Sequence, residues 1–378
     1  MRKAMLALTM VGLLAAGSMT ACTDSGDTGS SGDGGGKGIK GANSAAKIGV
    51  IMPDETSSQR WTDEDARYLA GAFKAADVPV DIQNAKGDKA RFVALAEGMI
   101  NEGVKVLIIA SLDAISGKAV LDKARAAKVK TIDYDRLTLN GGADFYVSFD
   151  GVAVGRLQGE ALKTCLAAKH AVNPVVAELN GSPSDNNATL FKQGYDEVLQ
   201  PMYDEAKYTK GPDQWVPDWD NGEGGKMFAQ MLEHQSKITG VLAANDGLAG
   251  AVINVLKAKK KNGIVPVTGQ DATVEGLQRI LTGDQCMTVY KKIKPEAEAA
   301  AKLATSLYKN QAINKATIGS DITKIKDPES GAYIRFVSLE PVSITKANVQ
   351  SVIDDGFVTK KALCTKAFVT LCKDNDIK

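Results

Sequence analysis

Residues 105–110 are Lys-Val-Leu-Ile-Ile-Ala, a continuous apolar run of mostly β-branched and leucine side chains after a single lysine. A strand that is apolar on both faces is typical of the interior of a parallel sheet with helices on both sides. The flanking segments 89–101 and 116–127 carry their apolar residues at helical spacing. Helix, strand and helix in this order predict a parallel α/β sheet around residues 105–110.

The alternation extends along most of the chain. Toward the N-terminus it predicts strands at 46–52 and 78–83 and a helix at 63–76, and a further strand follows at 129–134. It then starts again after residue 150, with helices at 155–168, 188–199, 248–259 and 274–281 and strands at 174–179, 238–244, 265–269 and 286–290. The fold class is therefore α/β, with two doubly wound parallel-sheet lobes joined by a three-strand hinge.

Domain boundaries follow from this pattern and from the composition of the N-terminus. We expect the chain to cross between the lobes near 149–150, near 290–291 and around 336–342, with a helix at 294–310 returning to the first lobe. The predicted regions are a signal peptide at 1–21, a tether at 22–45, an N-terminal lobe at 46–149 plus 292–335, and a C-terminal lobe at 150–291 plus 336–378.

The first residues have the pattern of an export signal. Arg2 and Lys3 precede an apolar run at 4–16 that is short for a bilayer span, and small residues follow. The segment Met19-Thr20-Ala21-Cys22 resembles a bacterial lipobox, with methionine where leucine is usual, and predicts lipidation of Cys22. An ordinary signal peptide with a chance cysteine is the alternative. The Gly/Ser/Asp-rich stretch that follows is typical of a flexible tether, so we expect an exported lipoprotein held on the outer face of the cell membrane by its lipid alone.

Composition excludes several functions. The chain has 46 basic and 45 acidic residues among 378, whereas nucleic-acid binders usually carry a basic excess. It has only two histidines, so a Ser-His-Asp triad or a His-rich metal site would depend on one of these two. The acidic, Gly-rich stretch 211–226 does not fit the spacing of a calcium-binding EF-hand, and we expect a solvated loop there. No cofactor, metal or nucleic-acid partner is expected.

Four cysteines remain after Cys22, an even number that permits disulfides in an exported chain. Three pairings are possible. Cys364 with Cys372 is favoured because the loop is short, which leaves Cys165 with Cys286. The alternative is that some of the four are buried thiols.

Polar side chains follow the predicted strands of both lobes. Asp, Asn, Arg, Lys and Trp recur there, and no nucleophile stands next to a base. In open parallel sheets the ligand site lies beyond the carboxyl ends of the strands. Carboxylates, amides and cationic side chains suit the hydroxyls of a sugar, whose C–H faces can stack on indole. Each residue taken alone is more typical of a helix N-cap than of a ligand contact, but repetition on both units favours a shared ligand cleft.

Several motifs occur in an order known from one family. They are Arg60-Trp61, YDR at 134–136, FYVSFD at 145–150, GSPSDNNATLF at 181–191, Trp219, AND at 244–246, GQDA at 269–272 and MTVYK at 287–291. Together they resemble the D-xylose-binding proteins of ABC sugar transporters, within the ribose/galactose-type periplasmic binding proteins of type I fold. Residues 109–117 and 340–357 also resemble the related multiple-sugar receptors.

The resemblance implies the roles of particular residues. The implied ligand-binding residues are Arg60, Trp61, Asp135, Arg136, Asp185, Asn187, Trp219, Asn245, Asp271 and Lys291. Trp61 and Trp219 would cover the two faces of the sugar, whereas Trp215 would pack in the protein. The resemblance further implies a monomeric receptor, not an enzyme, that captures a monosaccharide, D-xylose first, and delivers it to an ABC permease.

Three alternatives stay open at this point. One is a receptor of the same family for glucose, galactose or arabinose, or one that signals rather than feeds a transporter. A second is a secreted carbohydrate-active enzyme, for which Asp135, Asp185 and Asp271 could supply paired carboxylates. A third is a sugar-responsive repressor, which would need a DNA-binding segment where this chain has a signal peptide and a tether.

Overall fold

A computed structural model describes residues 47–378. The predicted signal peptide, Cys22 and the tether lie outside the described residues.

The described residues form twelve strands and fourteen α-helices. The strands are β1 (Ile48–Met52), β2 (Val80–Asn84), β3 (Val106–Ile109), β4 (Lys130–Tyr134), β5 (Phe145–Phe149), β6 (Val175–Asn180), β7 (Thr209–Trp215), β8 (Ile238–Ala243), β9 (Thr288–Tyr290), β10 (Ile322–Lys326), β11 (Tyr333–Leu339) and β12 (Val342–Ile344). The helices are α1 (Arg60–Asp63), α2 (Asp65–Ala75), α3 (Lys89–Asn101), α4 (Ala114–Ala126), α5 (Gly151–Ala168), α6 (Asn186–Asp204), α7 (Asn221–His234), α8 (Asp246–Ala258), α9 (Val274–Thr282), α10 (Ile293–Tyr308), α11 (Lys315–Ile318), α12 (Gln350–Asp354), α13 (Lys360–Leu363) and α14 (Val369–Asp374). A short 3₁₀ turn lies at Pro217–Trp219.

The first sheet has seven strands in the order β10-β11-β5-β4-β3-β1-β2. All neighbours pair in parallel except β10, which is antiparallel to β11. The apolar strand β3 lies inside the sheet between β1 and β4, and all four of its residues are buried. One face packs on α2 and α10 and the other on α3 and α4. Burial on both faces explains why the strand is apolar throughout.

The second sheet is smaller and less regular. Strands β7, β6 and β8 pair in parallel, and single bridges extend the sheet from Val241 to Val267 and from Gln270 to Val289. Residues 265–269, predicted to be a strand, make only such bridges. Strands β9 and β12 form a separate antiparallel pair. The predicted α/β class with parallel sheets is confirmed.

The chain passes between the sheets three times. It leaves the first sheet after β5, returns after β9 into α10, and leaves again between β11 and β12. Strand β11 pairs with β5 as far as Leu339, so residues 336–339 continue the first sheet beyond the boundary predicted at 335. With this extension to Leu339 we take the first lobe as residues 47–149 and 292–339, and the second lobe as residues 150–291 and 340–378.

The stretch 211–226 is ordered rather than a solvated loop. It contains the end of β7, the 3₁₀ turn and the start of α7. Asp220 caps α7 by accepting a hydrogen bond from the Glu223 amide at 2.8 Å, and Trp219 is buried. The polar side chains of β7 belong to a half-exposed edge strand, which hides its strand character in the sequence.

Helices α5 and α6 pack unusually closely in the second lobe. A Cβ added at Gly155 would overlap the main-chain oxygen of Phe191, and one added at Gly194 would overlap that of Val152. Glycine at both positions therefore allows the two backbones to touch. The N-terminus of α6, which carries Asn187, is thereby held against α5.

Two disulfides lie in the second lobe. Cys165 of α5 pairs with Cys286, and Cys364 pairs with Cys372, which is the pairing that the sequence favours. Within residues 47–378, no helix has the length and hydropathy that crossing a membrane requires.

Candidate binding site between the lobes

A cavity lies between the two lobes, and all ten predicted ligand-binding residues line it. Its internal volume is about 30 Å³, well below the roughly 300–1,000 Å³ usual for small-molecule sites. Its lining residues are Ser57, Ser58, Arg60, Trp61, Asp135, Arg136, Asp185, Asn187, Phe191, Trp219, Asn245, Gln270, Asp271 and Lys291.

The sheet topology explains why residues so distant in sequence meet. Arg60 begins α1 after β1, and Asp135 follows β4 in the same sheet. From the second lobe, Asp185 precedes α6 after β6, and Asn245 precedes α8 after β8. Carboxyl ends of parallel strands meet at one edge, so these side chains gather where the two sheet edges face each other.

Two of the lining residues are also helix caps. Asp185 accepts a hydrogen bond from the Asn187 amide at 2.9 Å, and Asn245 accepts one from the Leu248 amide at 2.9 Å. Both residues therefore cap a helix and also line the cavity. Capping fixes the side chain, and Trp219 fixes Asp185 further by donating Nε1–H to its Oδ2 at 3.1 Å.

Arg60 is the centre of a buried charge network. Its Nε–H and one Nη2–H donate to the two carboxylate oxygens of Asp65, at 2.8 and 2.6 Å. The other Nη2–H donates to Glu296 at 2.6 Å, and one Nη1–H donates to Asp135 at 2.6 Å. These four bonds use four of the five N–H donors of a guanidinium group. The network therefore fixes the orientation of the arginine that lines the cavity.

The network also perturbs its carboxylates. Burial alone would raise the pKa of Asp135, but the charges of Arg60 and Lys291 hold that pKa well below its usual range. Burial raises the pKa of Glu296 to about 8 despite the opposing charge of Arg60. The neighbouring cations therefore favour the ionised form of Asp135, whereas burial opposes the ionisation of Glu296.

Several hydrogen bonds join the lobes directly across the cavity. Asn187 donates Nδ2–H to Asp135, and Ser58 donates its hydroxyl to Asp271 Oδ2 at 2.8 Å. Asn245 donates Nδ2–H to the Ser57 carbonyl at 3.2 Å. Arg136 Nε lies 3.1 Å from Asp185 Oδ2, and Lys291 Nζ lies 2.9 Å from Asp135 Oδ2. The arrangement is that of two lobes closed on each other.

The charges that line the cavity balance. Arg60, Arg136 and Lys291 face the carboxyl groups Asp135, Asp185 and Asp271. Burial raises the pKa of Asp271 to about 6, against the opposing charge of Lys291, and also raises the pKa of Asp185. A site without excess charge that is rich in donors and acceptors suits a neutral, polyhydroxylated ligand.

The tryptophans have different surroundings. The guanidinium groups of Arg60 and Arg136 lie 4.5 and 5.3 Å from the ring centroid of Trp61. The six-membered ring of Trp219 abuts Gly181, and its indole meets Phe191 edge-on at 6.4 Å. Trp61 therefore takes part in cation–π contacts with two arginines. The sequence predicted only that Trp61 would stack on one face of the sugar.

Three lining residues have left-handed backbone conformations. The φ angles are 59° at Asp135, 57° at Trp219 and 106° at Asp271. Positive φ is costly for residues with a Cβ and clusters at functional sites. These three residues therefore carry backbone strain at the cavity.

Sequence reasoning missed four lining residues, Ser57, Ser58, Phe191 and Gln270. The two serines share the loop that follows β1 with Arg60, and Phe191 lies one helical turn after Asn187. Gln270 stands beside Asp271 at the same strand end. Proximity to a predicted site residue is the signal that would have found them.

Comparisons with known proteins agree on one family. A family model described as periplasmic binding protein domain matches residues 48–312. The chain is 34% identical over 320 residues to a D-xylose-binding periplasmic protein of Haemophilus influenzae, covering 84% of this chain and 92% of the relative. It is also 34% identical over 313 residues to a D-xylose-binding periplasmic protein of Escherichia coli, covering 82% and 90%. A solved ABC transporter solute-binding protein of Clostridium phytofermentans with bound β-D-glucose matches with a TM-score of 0.75 at 29% identity, covering 84% of this chain and 99% of that structure.

Proposed function

The chain belongs to the periplasmic binding protein domain family, and on that premise we propose that it captures D-xylose between its lobes and delivers it to an ABC permease. At the level of the family it is a sugar-binding receptor of ABC transport and an exported protein. The choice of xylose rests on the two relatives named for that sugar. The anchoring of the mature chain by a lipid on Cys22, and its monomeric state, belong to the same proposal.

One observation supports the proposal above the others. Ten residues selected from both halves of the sequence line a single cavity whose fixed cations and carboxyl groups are equal in number. Hydrogen bonds between a sugar hydroxyl and charged groups contribute roughly 1.5–3 kcal/mol each. A few such bonds, after the cost of association, correspond to micromolar affinity, about −8 kcal/mol.

Binding and closure are coupled in this mechanism. A sugar that contacts Asp135 on the first lobe and Asp185 on the second bonds both lobes only when they are close together. It therefore shifts the population toward the closed arrangement by its differential affinity. The closed receptor would dock on the permease, and opening there would release the sugar.

Calorimetry with a panel of pentoses and hexoses tests the proposal. We expect micromolar binding of D-xylose, and we expect Asp185→Ala to weaken it by about 2 kcal/mol, roughly thirtyfold, because it removes a charged acceptor. Absence of binding by every sugar would refute the receptor function. Unchanged affinity in Asp185→Ala would remove that residue from the site.

Glucose is the second candidate ligand. The Clostridium phytofermentans protein, similar over most of the chain, holds β-D-glucose, and glucose differs from xylose by one CH₂OH group. Tighter binding of glucose than of xylose in the same panel would favour it.

An enzyme would convert the sugar rather than release it unchanged. Incubation of the receptor with xylosides and glucosides, followed by chromatography, is expected to return each of them intact. Product formation that disappears in Asp135→Asn would favour the carbohydrate-active enzyme.

A further inference from the structure

We propose that the amide oxygen of Gln270 accepts a hydrogen bond from one hydroxyl group of the ligand and that the indole N–H of Trp61 donates to another. Gln270 would thereby be a residue that determines specificity, and Trp61 would act through its N–H. The inference rests on the proposed function because it names further contacts within the same site.

The first observation is that both groups are buried without partners. Gln270 and Trp61 are each 3% exposed and line the cavity. Within residues 47–378, Gln270 Oε1 and Trp61 Nε1 are buried atoms with no hydrogen-bond partner. A buried polar atom left unbonded costs about 1–3 kcal/mol, and most such atoms in proteins are bonded. Two of these atoms beside one cavity indicate donors and acceptors kept for a ligand.

The second observation is that several other acceptors that line the cavity are already occupied by the protein. Both oxygens of Asp135 and both of Asp185 accept protein donors. The side-chain oxygen of Asn245 accepts the Leu248 amide. Gln270 Oε1 differs from these side-chain oxygens, because a ligand hydroxyl that donates to it would not compete with a protein donor.

The third observation is that the backbone holds Gln270 in place. Its carbonyl accepts the Asp246 amide at 2.8 Å, and it forms a bridge with Val289. The next residue, Asp271, donates its amide to the Val289 carbonyl at 2.8 Å and has the strained φ of 106°. A fixed main chain on both sides of the residue allows its side chain to be pre-organised for a ligand.

Two complementary groups of this kind discriminate between hydroxyl patterns. A hydroxyl both donates and accepts, so one sugar can satisfy an acceptor from the second lobe and a donor from the first. An analogue that lacks the hydroxyl facing Gln270 would leave the amide oxygen unbonded. Sites that hydrogen-bond a substrate hydroxyl reject analogues without it much more strongly than apolar pockets do.

The test compares wild type with Gln270→Met by calorimetry, using the best sugar of the panel and each of its monodeoxy analogues. Gln270→Met keeps a side chain of similar length and removes the acceptor. We expect about tenfold weaker binding of the parent sugar, about 1.4 kcal/mol. The deoxy analogue that lacks the hydroxyl facing Gln270 should bind wild type weakly and should bind Gln270→Met with the same affinity. Each of the other analogues should bind Gln270→Met about tenfold more weakly than it binds wild type. Trp61→Phe removes the indole N–H and should also weaken binding of the parent sugar. A different deoxy analogue, the one that lacks the hydroxyl facing Trp61, should bind wild type and Trp61→Phe with the same affinity.

Gln193→Met, on the exposed outer face of α6, is the matched control and should bind as wild type does. Melting without sugar gives an independent measurement. Because Gln270 Oε1 bonds nothing among the residues that the structure describes, Gln270→Met should not lower the unfolding temperature. A lowered temperature would indicate a structural role and overturn the inference. Unchanged sugar affinity, or equal losses for every analogue, would also overturn it. Wild type that binds no sugar would refute the receptor function itself.

Discussion

Asn187 donates its side-chain amide to both the main-chain carbonyl and the Oδ1 of Asp135, each at 3.0 Å, and so joins the second lobe to the first. Both residues are buried. Asp135 holds a left-handed backbone conformation and bonds Arg60 and Lys291 through its other oxygen. The Asp135 carboxylate thus bonds Arg60 in its own lobe, Lys291 at the chain crossing after β9, and Asn187 in the opposite lobe.

Removing this link should weaken ligand binding. In Asn187→Ala the closed arrangement loses two hydrogen bonds, one to a charged oxygen, at a cost of about 1–3 kcal/mol. We expect sugar affinity to fall about tenfold or more, and the ligand-free protein to have a larger radius of gyration by small-angle X-ray scattering. Asn101→Ala, at the exposed end of α3, should change neither quantity. Equal affinities in the two variants would show that the link does not contribute to closure.

Arg60→Lys should destabilise the protein strongly. The lysine cannot bond Asp65, Glu296 and Asp135 together, so buried carboxylates lose their partner, a loss that costs about 3–5 kcal/mol. Urea unfolding should report it as a lower midpoint.

Arg67→Lys provides the matched control. Arg67 pairs with Glu64 on the exposed surface of α2, where an ion pair contributes only about 0.2–1 kcal/mol. Similar midpoints for the two variants would contradict the central role given to Arg60.

Asp133 should make stability depend on pH near neutrality. Burial raises the pKa of its carboxyl to about 7, against about 3.9 in an unfolded chain. Thr138 bonds it through its amide and hydroxyl, Ser111 bonds Thr138, and Asp327 is the charged group that acts on it. Between pH 4 and 7 the folded protein therefore binds more protons than the unfolded chain does.

The sign of the dependence follows from this difference. The stabilisation from Asp133 is complete below about pH 4 and is lost as the pH rises through 7, at up to about 1.4 kcal/mol per pH unit. Asp133→Asn has no proton to lose, so its free energy of unfolding should fall less between pH 5 and 8 than that of wild type. Parallel curves for the two proteins, measured by urea unfolding across this range, would exclude Asp133 as the cause.

Gly155→Ala should be destabilising although alanine favours helix. The added Cβ would collide with the backbone of α6 at Phe191, and overpacking of this kind costs about 1–3 kcal/mol. Gly71→Ala is the control because a Cβ there meets nothing within 4 Å. It should stabilise α2 by up to about 1 kcal/mol. Opposite shifts in unfolding temperature are the expected result, and a rise in both would refute the close approach of the helices.

The features that could be predicted share one physical origin. Parallel strands end at a common edge of their sheet, so the polar residues after β1 and β4 lie together, as do those after β6 and β8. The family inferred from the motifs of these residues is confirmed. The helix α3 (Lys89–Asn101) was predicted to the residue, because Asp88 caps it and its apolar spacing is regular.

The remaining features depend on contacts that leave no local pattern. Glu296 lies on α10, away from any strand end, and only the packing of α10 against α2 brings it to Arg60. The polar edge strand β7 lacks the apolar alternation that identifies strands. Gln270 Oε1 has no hydrogen-bond partner within residues 47–378, and this depends on what surrounds its side chain in space rather than on its neighbours in sequence.

The three passages of the chain between the sheets give the two lobes an unusual form of covalent redundancy. Cutting the backbone at any one of them leaves the lobes joined by the other two, so a single nick by a protease at the hinge cannot separate them. The same redundancy means that neither lobe is a continuous piece of sequence. A gene fragment that ends at Phe149 would lack β10, β11 and α10 of the first lobe, whereas a circular permutant opened at one passage would retain both lobes whole.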